Sequence, residues 1–544
     1  MYDAKTGWYE IRHLEAEAGD IKDVWEPGRF GWAYDLMRGW MLTRDDVYAA
    51  AFWRNFECFM AGCPMFCGVQ WSCGQEAAIR AIAWLWAEAI FSEAPSSTSD
   101  RVVALRRAVG NSAARIGNAI GYAMSQRNNH GISEATGLVT IGMRFRESPV
   151  ARGWVKRGVE ALVRLMEDQI ADDGWYIQHS TNYTRLMLDQ LIMATFILRS
   201  AGEGLPKPAM ERIRTAVRLL AAVCDRRTGV PPNHGANDGA NALPLSLNSY
   251  RDFRPTLTAA ASLFDVELPV GLAPQMEPLA WLRLPLPAFS STPKHPAIST
   301  GRSGWIVGET AGARIFARAG EYHSRPSHID PLHVDIWIDG RPVAVDAGTY
   351  RYMAPPPWRD GLACIDVHNT LTLSGYPPAE RGPRFLWLRW PNATVRSAIA
   401  VHEELRIELE NLSWTELGIR HLRFCLVRAS GVTVVDDVRS DQPRGIQARV
   451  QWLLTGDSHD VMVRSDQQVE IEESRGQPDE MYGWVSERYS EKEPATSVRI
   501  LATLHRKRVL IVSGFGDHRA ETHLLALLAA CERGSPFALN QGAD

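Results

Sequence analysis

The 544-residue sequence has no apolar run approaching the ~18 residues that a membrane-spanning helix needs, so no membrane span is predicted. Its N-terminus, "MYDAKTGWYEIRHLEAEAG", lacks the basic and then apolar segments of a secretory signal. We therefore expect a soluble protein of bacterial type that this N-terminus does not export. It would be periplasmic or secreted if a signal lies upstream of the given sequence, and cytoplasmic otherwise.

Long basic stretches are also missing. The formal net charge is -4, which argues against nucleic acid as a partner. An anionic polymer remains compatible with this balance if a local groove of Arg and His binds it. The sequence by itself does not indicate an oligomeric state.

Cysteine is scarce, and none of the eight residues has the paired C-x-x-C spacing that is typical of zinc sites. Cys58, Cys63, Cys67 and Cys73 lie close together in the sequence. We predict that they are reduced and lie in a half-buried loop. A metal or disulfide cluster is the alternative.

The first half of the chain has the apolar periodicity of amphipathic helices. Five segments show it, separated by Gly, Pro and Asp-Gly turn signals: 73–91, 100–125, 151–171, 183–202 and 208–225. A bundle or a ring of helices follows from this pattern. Tryptophan is abundant, with nineteen residues, and such rings either pack in a core or form platforms for sugars.

The second half has a different texture. The Pro-rich stretch 266–297 cannot form a long helix and is interpreted as a linker. After it, alternating β-branched runs such as "ARIFARAG" and "GVTVVDDV" follow one another without helices between them, which predicts an antiparallel sandwich. We predict a multidomain α + β protein with a helical domain over 1–285 and a β-sandwich over 286–544.

Two polar stretches lie at predicted helix starts. In "QRNNHGISEATGL" (126–138), Asn129 and His130 open a helix, and Glu134 shares a helix face with His130. In "DDGWYIQHSTNYTR" (172–185), Gln178 precedes Tyr183, which opens the next helix. An amide can donate to a carboxylate, and a tyrosine in a groove can move a proton. A capping Asn and an anchoring Tyr are the structural alternatives.

Two further stretches concentrate polar groups. The loop "VPPNHGANDGANALPL" (230–245) contains Asn233, His234 and Asp238, which suit either backbone turns or sugar hydroxyls. In "SHIDPLHVDIWIDGRPVAVDAGTYRY" (327–352), a hairpin around an Asp-Gly turn could bring His328 and Asp346 together. Such His and Asp residues are either structural or metal ligands.

In this order, these stretches resemble the heparinase II/III-like polysaccharide lyases, which join an α/α toroid to a C-terminal antiparallel β-sandwich. The resemblance also includes "DIKDVWEPGRF" (20–30), "GVQWSCGQEAAIR" (68–80) and "HNTLTLSG" (368–375). It covers most of the chain, although no single motif is decisive.

The resemblance implies β-elimination on a polysaccharide that contains uronic acid, an exopolysaccharide among the possibilities. Asn129 matches the position that neutralises the uronate carboxylate, with His130 beside it, and Tyr183 matches the tyrosine that moves the proton. Trp71 and Arg80 match the wall of the groove. Glu134, Gln178, Asn233, His234 and Asp238 complete the predicted substrate contacts. No organic cofactor is implied.

The resemblance also implies a structural zinc site, which by position consists of His328, Asp346 and His368. In this role zinc would brace the loops that feed the cleft. The neighbouring Asp330, His333 and Asp335 are predicted to be local hydrogen-bonding or surface groups.

The chain departs from the family pattern at Pro326, where many relatives have a proton-transferring His. Either Tyr183 then serves as both base and acid, or His130 or another His takes the role, or the activity is weakened. Two alternatives to a lyase also stay open. A glycoside hydrolase would need two carboxylates ~5–10 Å apart, with Asp173 and Asp238 as candidates. A non-catalytic binding or assembly protein of an exopolysaccharide system would bind the polymer without cleaving it.

Overall fold

The computed structural model describes residues 5–11, 19–291, 295–324, 326–382, 386–443 and 445–533. In this part of the chain, twelve α-helices precede the first strand and one follows the last. They are α1 (Lys22–Gly28), α2 (Ala33–Thr43), α3 (Asp46–Gly62), α4 (Val69–Ser72), α5 (Gly74–Ile90), α6 (Ser99–Ser125), α7 (Asn129–Arg144), α8 (Pro149–Gln169), α9 (Thr181–Ser200), α10 (Lys207–Val223), α11 (Arg254–Phe264), α12 (Met276–Leu282) and α13 (Glu521–Arg533).

The helical region has inner and outer helices. α5, α7 and α9 are buried on almost every face, whereas α6, α8 and α10 bury one side and expose charged residues on the other. Small residues permit this close packing: a Cβ added to Gly137 of α7 would lie 2.7 Å from Cβ of Ala78 in α5. The first turns of these three inner helices contribute residues to one shared cleft.

The strands form a two-layered sandwich. They are β1 (Ala297–Thr300), β2 (Trp305–Glu309), β3 (Ala313–Arg318), β4 (Val334–Ile338), β5 (Arg341–Ala344), β6 (Leu371–Leu373), β7 (Glu380–Arg381), β8 (Trp387–Arg389), β9 (Ala393–Val401), β10 (Glu404–Asn411), β11 (Ile419–Arg428), β12 (Gly431–Ser440), β13 (Gln447–Leu454), β14 (Val461–Ser465), β15 (Glu470–Arg475), β16 (Trp484–Val485), β17 (Glu493–Pro494), β18 (Thr496–Thr503) and β19 (Arg508–Gly516).

Every pairing between named strands is antiparallel. The first sheet of the sandwich has nine strands, in the order β1-β2-β3-β4-β5-β13-β18-β15 with β6 beside β13, and the second has six, in the order β14-β19-β12-β11-β10-β9. Outside the sandwich layers, β7 pairs with β8 and β16 pairs with β17 in two small sheets. Alternating apolar side chains of both sheets form the core between them. α13 covers the outer face of the second sheet.

The outer face of the nine-stranded sheet packs on the helical domain. Trp175 and Val223 contact a patch of the sheet that includes Trp305, Phe316 and Trp337. Polar contacts reinforce this interface, because Arg314 donates to the backbone carbonyl oxygen of Val223 at 2.6 Å, where α10 ends. The two domains therefore meet over a packed surface, which fixes the positions of their loops relative to one another.

The predicted fold class is confirmed, with helices followed by an antiparallel sandwich. The five predicted helices correspond to α5, α6, α8, α9 and α10 to within two residues at each end. The hairpin of β9 and β10 was not among the predicted runs. Helices end at Leu282 and strands begin at Ala297, and we propose to keep the domain boundary at 285/286.

None of the described helices combines the length and the apolar character that a membrane span requires.

The four clustered cysteines are free thiols whose exposure differs. Cys58 is exposed, Cys73 is buried, and Cys63 and Cys67 have intermediate exposure.

Candidate active site

A cleft of about 710 Å³ lies where the two domains meet. The helical domain contributes the starts of α1, α5, α7 and α9, and the sandwich contributes loop residues around Pro326 and Tyr352. Seven of the residues predicted from the sequence line this cleft: Asn129, His130, Glu134, Gln178, Tyr183, Asp238 and His328.

Asn129 is the first residue of α7 and is held from two sides. Its backbone N–H donates to Oε1 of Gln178 at 2.8 Å, and its side-chain Nδ2 donates to Oε1 of Gln75 at 2.6 Å. Gln75 also accepts from the hydroxyl of Ser133 at 3.0 Å. The cap of the helix is Asn128, whose side chain accepts from the N–H of His130. Asn129 is therefore not the capping residue.

His130 lies against a thiol. Its Nδ1 is 3.6 Å from Sγ of Cys73, the residue before α5. Burial raises the pKa of Cys73 to about 12, so the sulfur keeps its proton at neutral pH. A thiol that donates to Nδ1 favours the tautomer with the proton on Nε2. Neither Gln75 nor Cys73 was identified from the sequence, although both lie in the quoted stretch 68–80.

Tyr183 lies in the first turn of α9, where the capping hydroxyl of Ser180 accepts from its N–H at 3.1 Å. Its phenol is 3.0 Å from the phenol of Tyr352, a sandwich residue that also lines the cleft. The N–H of Tyr352 donates to the hydroxyl oxygen of Tyr489 at 2.9 Å. That hydroxyl donates to the carboxylate of Asp20 at 2.5 Å, which ties the tyrosines to the helical domain.

Glu134 lies one turn beyond His130 and is only 4% exposed. Burial raises its pKa to about 7, against the opposing effect of Arg115. Within the described residues, Oε2 of Glu134 and Nη1 of Arg115 have no hydrogen-bond partner. Arg115 was missed from the sequence because its segment has an ordinary helical pattern. It stacks on Trp8, 3.5 Å from the ring centroid.

We predict that Glu134→Gln makes the chain more stable at alkaline pH. Because the unfolded carboxyl has an ordinary pKa near 4.5 and the folded one a pKa of about 7, the native chain loses stability as pH rises through this window. Above it, the variant should be more stable by roughly 3 kcal/mol, whereas at pH 4 the two should be alike. Urea unfolding at several pH values measures this, and parallel pH curves would contradict it.

Trp71 and Arg80 are not in the cleft, which corrects their predicted contact with substrate. Arg80 is fully buried, donates to the backbone oxygen of Gln70 at 2.9 Å and stacks between Trp71 and Trp84. Trp71 is also 0% exposed. Both residues therefore pack behind the groove wall that their motif predicted.

Asn233 and His234 are also corrected. Asn233 donates to the backbone oxygen of Ser486 at 2.8 Å, and Nδ1 of His234 is 3.2 Å from a carboxylate oxygen of Asp330. Both side chains are buried and connect the 230–245 loop to the sandwich. Neither residue lines the cleft; both hold the 230–245 loop, which contributes Asp238 to the cleft, against the sandwich.

The two carboxylates considered for hydrolysis do not face each other across the cleft. Asp238 lines it and pairs with Lys22 of α1 at 3.1 Å. Asp173 is not among the lining residues, and its carboxylate accepts from the N–H and the hydroxyl of Ser303 at the domain interface. Asp173 and Asp238 therefore do not form the pair that a hydrolase requires.

His328, Asp346 and His368 converge in the sandwich. One ligand atom of each lies within 4.8 Å of the others, and Nδ1 of His368 is 3.4 Å from Oδ2 of Asp346. All three are buried, and within the described residues both ring nitrogens of His368 lack a hydrogen-bond partner, as do Nδ1 of His328 and Oδ2 of Asp346. Buried nitrogen and oxygen atoms that lack hydrogen-bond partners in this way fit the ligands of a metal ion.

The residues beside this cluster were predicted to be local hydrogen-bonding or surface groups. Asp330, His333 and Asp335 are buried and form local hydrogen bonds, so the first of these two roles applies. His333 receives the N–H of Asn369 on Nδ1 and is 3.2 Å from Asp335 through Nε2. Asp330 belongs to a second possible set of ligands, with His234 and Asp346.

Solved structures with the same fold include heparinase III, with 13% identity and a TM-score of 0.67 over 93% of this chain and 79% of that one. Heparan sulfate lyase HepC from Pedobacter heparinus has 16% identity and a TM-score of 0.58, over 93% and 78%. No curated protein matches the sequence.

Family models match both halves of the chain. The heparinase II/III N-terminus model matches residues 11–250, and the heparinase II/III-like C-terminal model matches residues 292–523. Together the two models identify the chain as a polysaccharide lyase. The chain belongs to the heparinase II/III-like family.

Proposed function

We propose that this lyase cleaves a uronic-acid-containing polysaccharide, such as an exopolysaccharide, by β-elimination. The observation that carries the proposal is that Asn129, His130 and Tyr183, from two different helices, line one cleft. The structures that share this fold include proteins described as heparinase III and heparan sulfate lyase, which supports an anionic polysaccharide as the substrate.

The first chemical task is to make the C5 proton of a uronate acidic. The neighbouring carboxylate is already charged, so negative charge that develops on it must be stabilised by donors that are in place beforehand. Asn129 has a second amide N–H besides the one held by Gln75, and His130 offers a ring N–H beside it. Protonated Glu134 can add a third donor below pH 7.

The second task is proton transfer, which we assign to Tyr183. Its position in the first turn of α9 presents the phenol to the cleft. The rest of the lining suits a sugar chain, because Trp25, Trp387 and Trp390 offer apolar ring faces. Gln178 and Asp238 add polar groups that can bind hydroxyls.

We propose that His328, Asp346 and His368 hold a structural zinc ion. Burial lowers the pKa of His328 to about 4, so its ring is neutral at pH 7 and able to bind a metal. Zinc would supply a rigid connection between the loop before β4, the end of the β4–β5 hairpin and the entrance to β6. His328 lines the cleft and also belongs to this cluster. A zinc ion bound there would therefore be connected through His328 to the cleft.

The proposed function is tested by incubating the purified chain with uronate polysaccharides and recording ultraviolet absorbance. Elimination creates a C4–C5 double bond next to the carboxylate, so absorbance should rise together with new reducing ends. Reducing ends without absorbance would indicate a hydrolase instead. Binding of the polymers without either signal would indicate the non-catalytic alternative.

We predict that Gln75→Met lowers kcat by roughly 10- to 100-fold with little change in KM, because the amide of Asn129 loses the acceptor that orients it. Steady-state kinetics on the best polymer measures the effect. Gln70→Met is the matched control, since Gln70 is a buried glutamine outside the cleft lining. Equal losses in both variants would assign Gln75 a purely structural role.

A further inference from the structure

The buried cluster of His and Asp residues at the domain boundary offers more ligands than one zinc ion uses. Besides His328, Asp346 and His368, a second group consists of His234, Asp330 and Asp346, with one ligand atom of each within 4.8 Å of the others. A structural zinc ion takes four ligands. The two groups share Asp346 and differ in their other members, so the donor atoms divide between two positions.

We propose that His234, Asp330 and Asp346 bind a second divalent cation, beside the zinc ion proposed at His328, Asp346 and His368. The inference rests on that zinc site and goes beyond it, because Asp346 would bridge the two ions. An ionised carboxylate has two oxygens with about four lone-pair sites, so one Asp can serve both positions. Ions in two-metal sites lie about 3.5–4 Å apart.

The distances within the second group suit a shared ion. Nδ1 of His234 is 3.2 Å from Oδ2 of Asp330, yet within the described residues neither atom has a hydrogen-bond partner. Two ligands that bind one zinc ion at ~2.0–2.2 Å lie roughly 3.4 Å apart in tetrahedral geometry. The corresponding separation in the first group is 3.4 Å, between Nδ1 of His368 and Oδ2 of Asp346. Both pairs are therefore spaced as ligands of one ion are.

Neighbouring groups orient the two carboxylates of the second group. The hydroxyl of Tyr322 donates to Oδ1 of Asp330 at 3.1 Å, and the N–H of Gly348 donates to Oδ1 of Asp346 at 2.7 Å. In the described part of the chain, Oδ2 of each carboxylate is left without a hydrogen-bond partner. Hydrogen bonds of this kind fix the orientation of carboxylates that bind metals.

Burial makes these unpartnered atoms costly in a chain without the cation. His234 and Asp330 are each 2% exposed, and Asp346 is 0% exposed. The rings of Trp175 and Phe316 lie against the ring of His234, with centroids 5.8 and 5.4 Å away. A buried carboxylate must be paired, hydrogen-bonded or bound to a metal. A cation between His234, Asp330 and Asp346 would satisfy all three side chains at once.

The second ion would connect the two domains. His234 belongs to the 230–245 loop of the helical domain, whereas Asp330 and Asp346 belong to the sandwich. The first ion, by contrast, has all its ligands in the sandwich. One imidazole and two carboxylates suit zinc and also manganese, because carboxylate oxygens favour the harder cation. The same loop contributes Asp238 to the cleft, so the second ion would fix that part of the cleft wall.

The test measures zinc content by metal analysis after equilibrium dialysis against a zinc buffer. The native chain should hold two equivalents, and His234→Gln, Asp330→Asn and His328→Gln should hold one each. Asp346→Asn should hold none. His179→Gln is the matched control and should hold two, because His179 is a buried histidine that contacts Arg318 at the same interface and belongs to neither group.

Hydrogen exchange locates the second ion independently of the stoichiometry. At a free zinc concentration of 100 times Kd, zinc should slow amide exchange in the 230–245 loop by up to about 100-fold in the native chain and in His328→Gln. It should leave this exchange unchanged in His234→Gln. The equivalent that each of these variants retains shows that the variant is folded.

A single zinc equivalent in the native chain would overturn the pair of ions. If His328→Gln alone removed that equivalent, only the first site would remain, and if His234→Gln alone removed it, only the second would. Loss of both ions in His234→Gln and in Asp330→Asn would also contradict two separate positions. A native chain that binds no zinc would refute the first site as well, whereas the lyase function is tested separately by absorbance.

Discussion

Tyr183→Phe is expected to reduce polysaccharide cleavage by roughly 10³-fold or more. The reason is that the proposed mechanism assigns removal of the C5 proton to this phenol, which lines the cleft. Binding should persist, because the ring and its packing in α9 are retained. The rate of absorbance increase gives kcat, and calorimetry with an oligosaccharide gives the affinity.

The matched control is Tyr122→Phe. Tyr122 also lines the cleft, but it lies on α6 and is 73% exposed, so loss of its hydroxyl should change the rate less than about threefold. A Tyr183→Phe variant that keeps more than a tenth of native activity would contradict the proposed mechanism. Tyr183→Phe that loses binding as well as turnover would assign the phenol to substrate recognition.

Asp346→Asn should abolish zinc binding and the stability that zinc confers. At a free zinc concentration of 100 times Kd, the native chain should gain about 2.7 kcal/mol in free energy of unfolding. Asn keeps the oxygen that accepts from the N–H of Gly348 at 2.7 Å, so the turn is preserved while the negative ligand is lost. Thermal unfolding with and without zinc, and metal analysis after dialysis, measure the two effects.

His523→Gln serves as the control for this site. His523 is a half-buried histidine of α13, on the outer side of the second sheet, and bonds to Thr433 rather than to the cluster. It should keep the full response to zinc. The proposal fails if the dialysed native chain binds no zinc, or if Asp346→Asn responds to zinc as the native chain does.

Local patterns in the sequence were sufficient for the type of the two domains and for many of their elements. Apolar residues at three- and four-residue spacing predicted α5, α6, α8, α9 and α10, and alternation predicted about half of the strands, because each pattern reflects the face that an element must bury. The motifs also predicted that Asn129 and Tyr183 open helices. These properties depend on neighbours in the sequence, which a single sequence contains.

Tertiary packing decided what each polar residue touches. Arg80 and Trp71 have the residue types of a sugar-binding wall, but Arg80 in the inner helix α5 and Trp71 in α4 are both fully buried. Asp330 and His333 have the composition of a surface loop, but both are buried, and Asp330 lies 3.2 Å from His234 of the helical domain. Burial depends on which surface is packed against the outer face of the sheet, and no local period encodes that choice.

The sequence by itself therefore determined the order of helices and strands, the family and the stretches in which the cleft residues lie. Only the tertiary structure brought Tyr352 to the phenol of Tyr183 and gave Gln75 and Cys73 their partners on α7. The physical reason is that contacts between residues far apart in the chain depend on how two domains pack together. Hydrophobic periodicity records only that each element has a buried side.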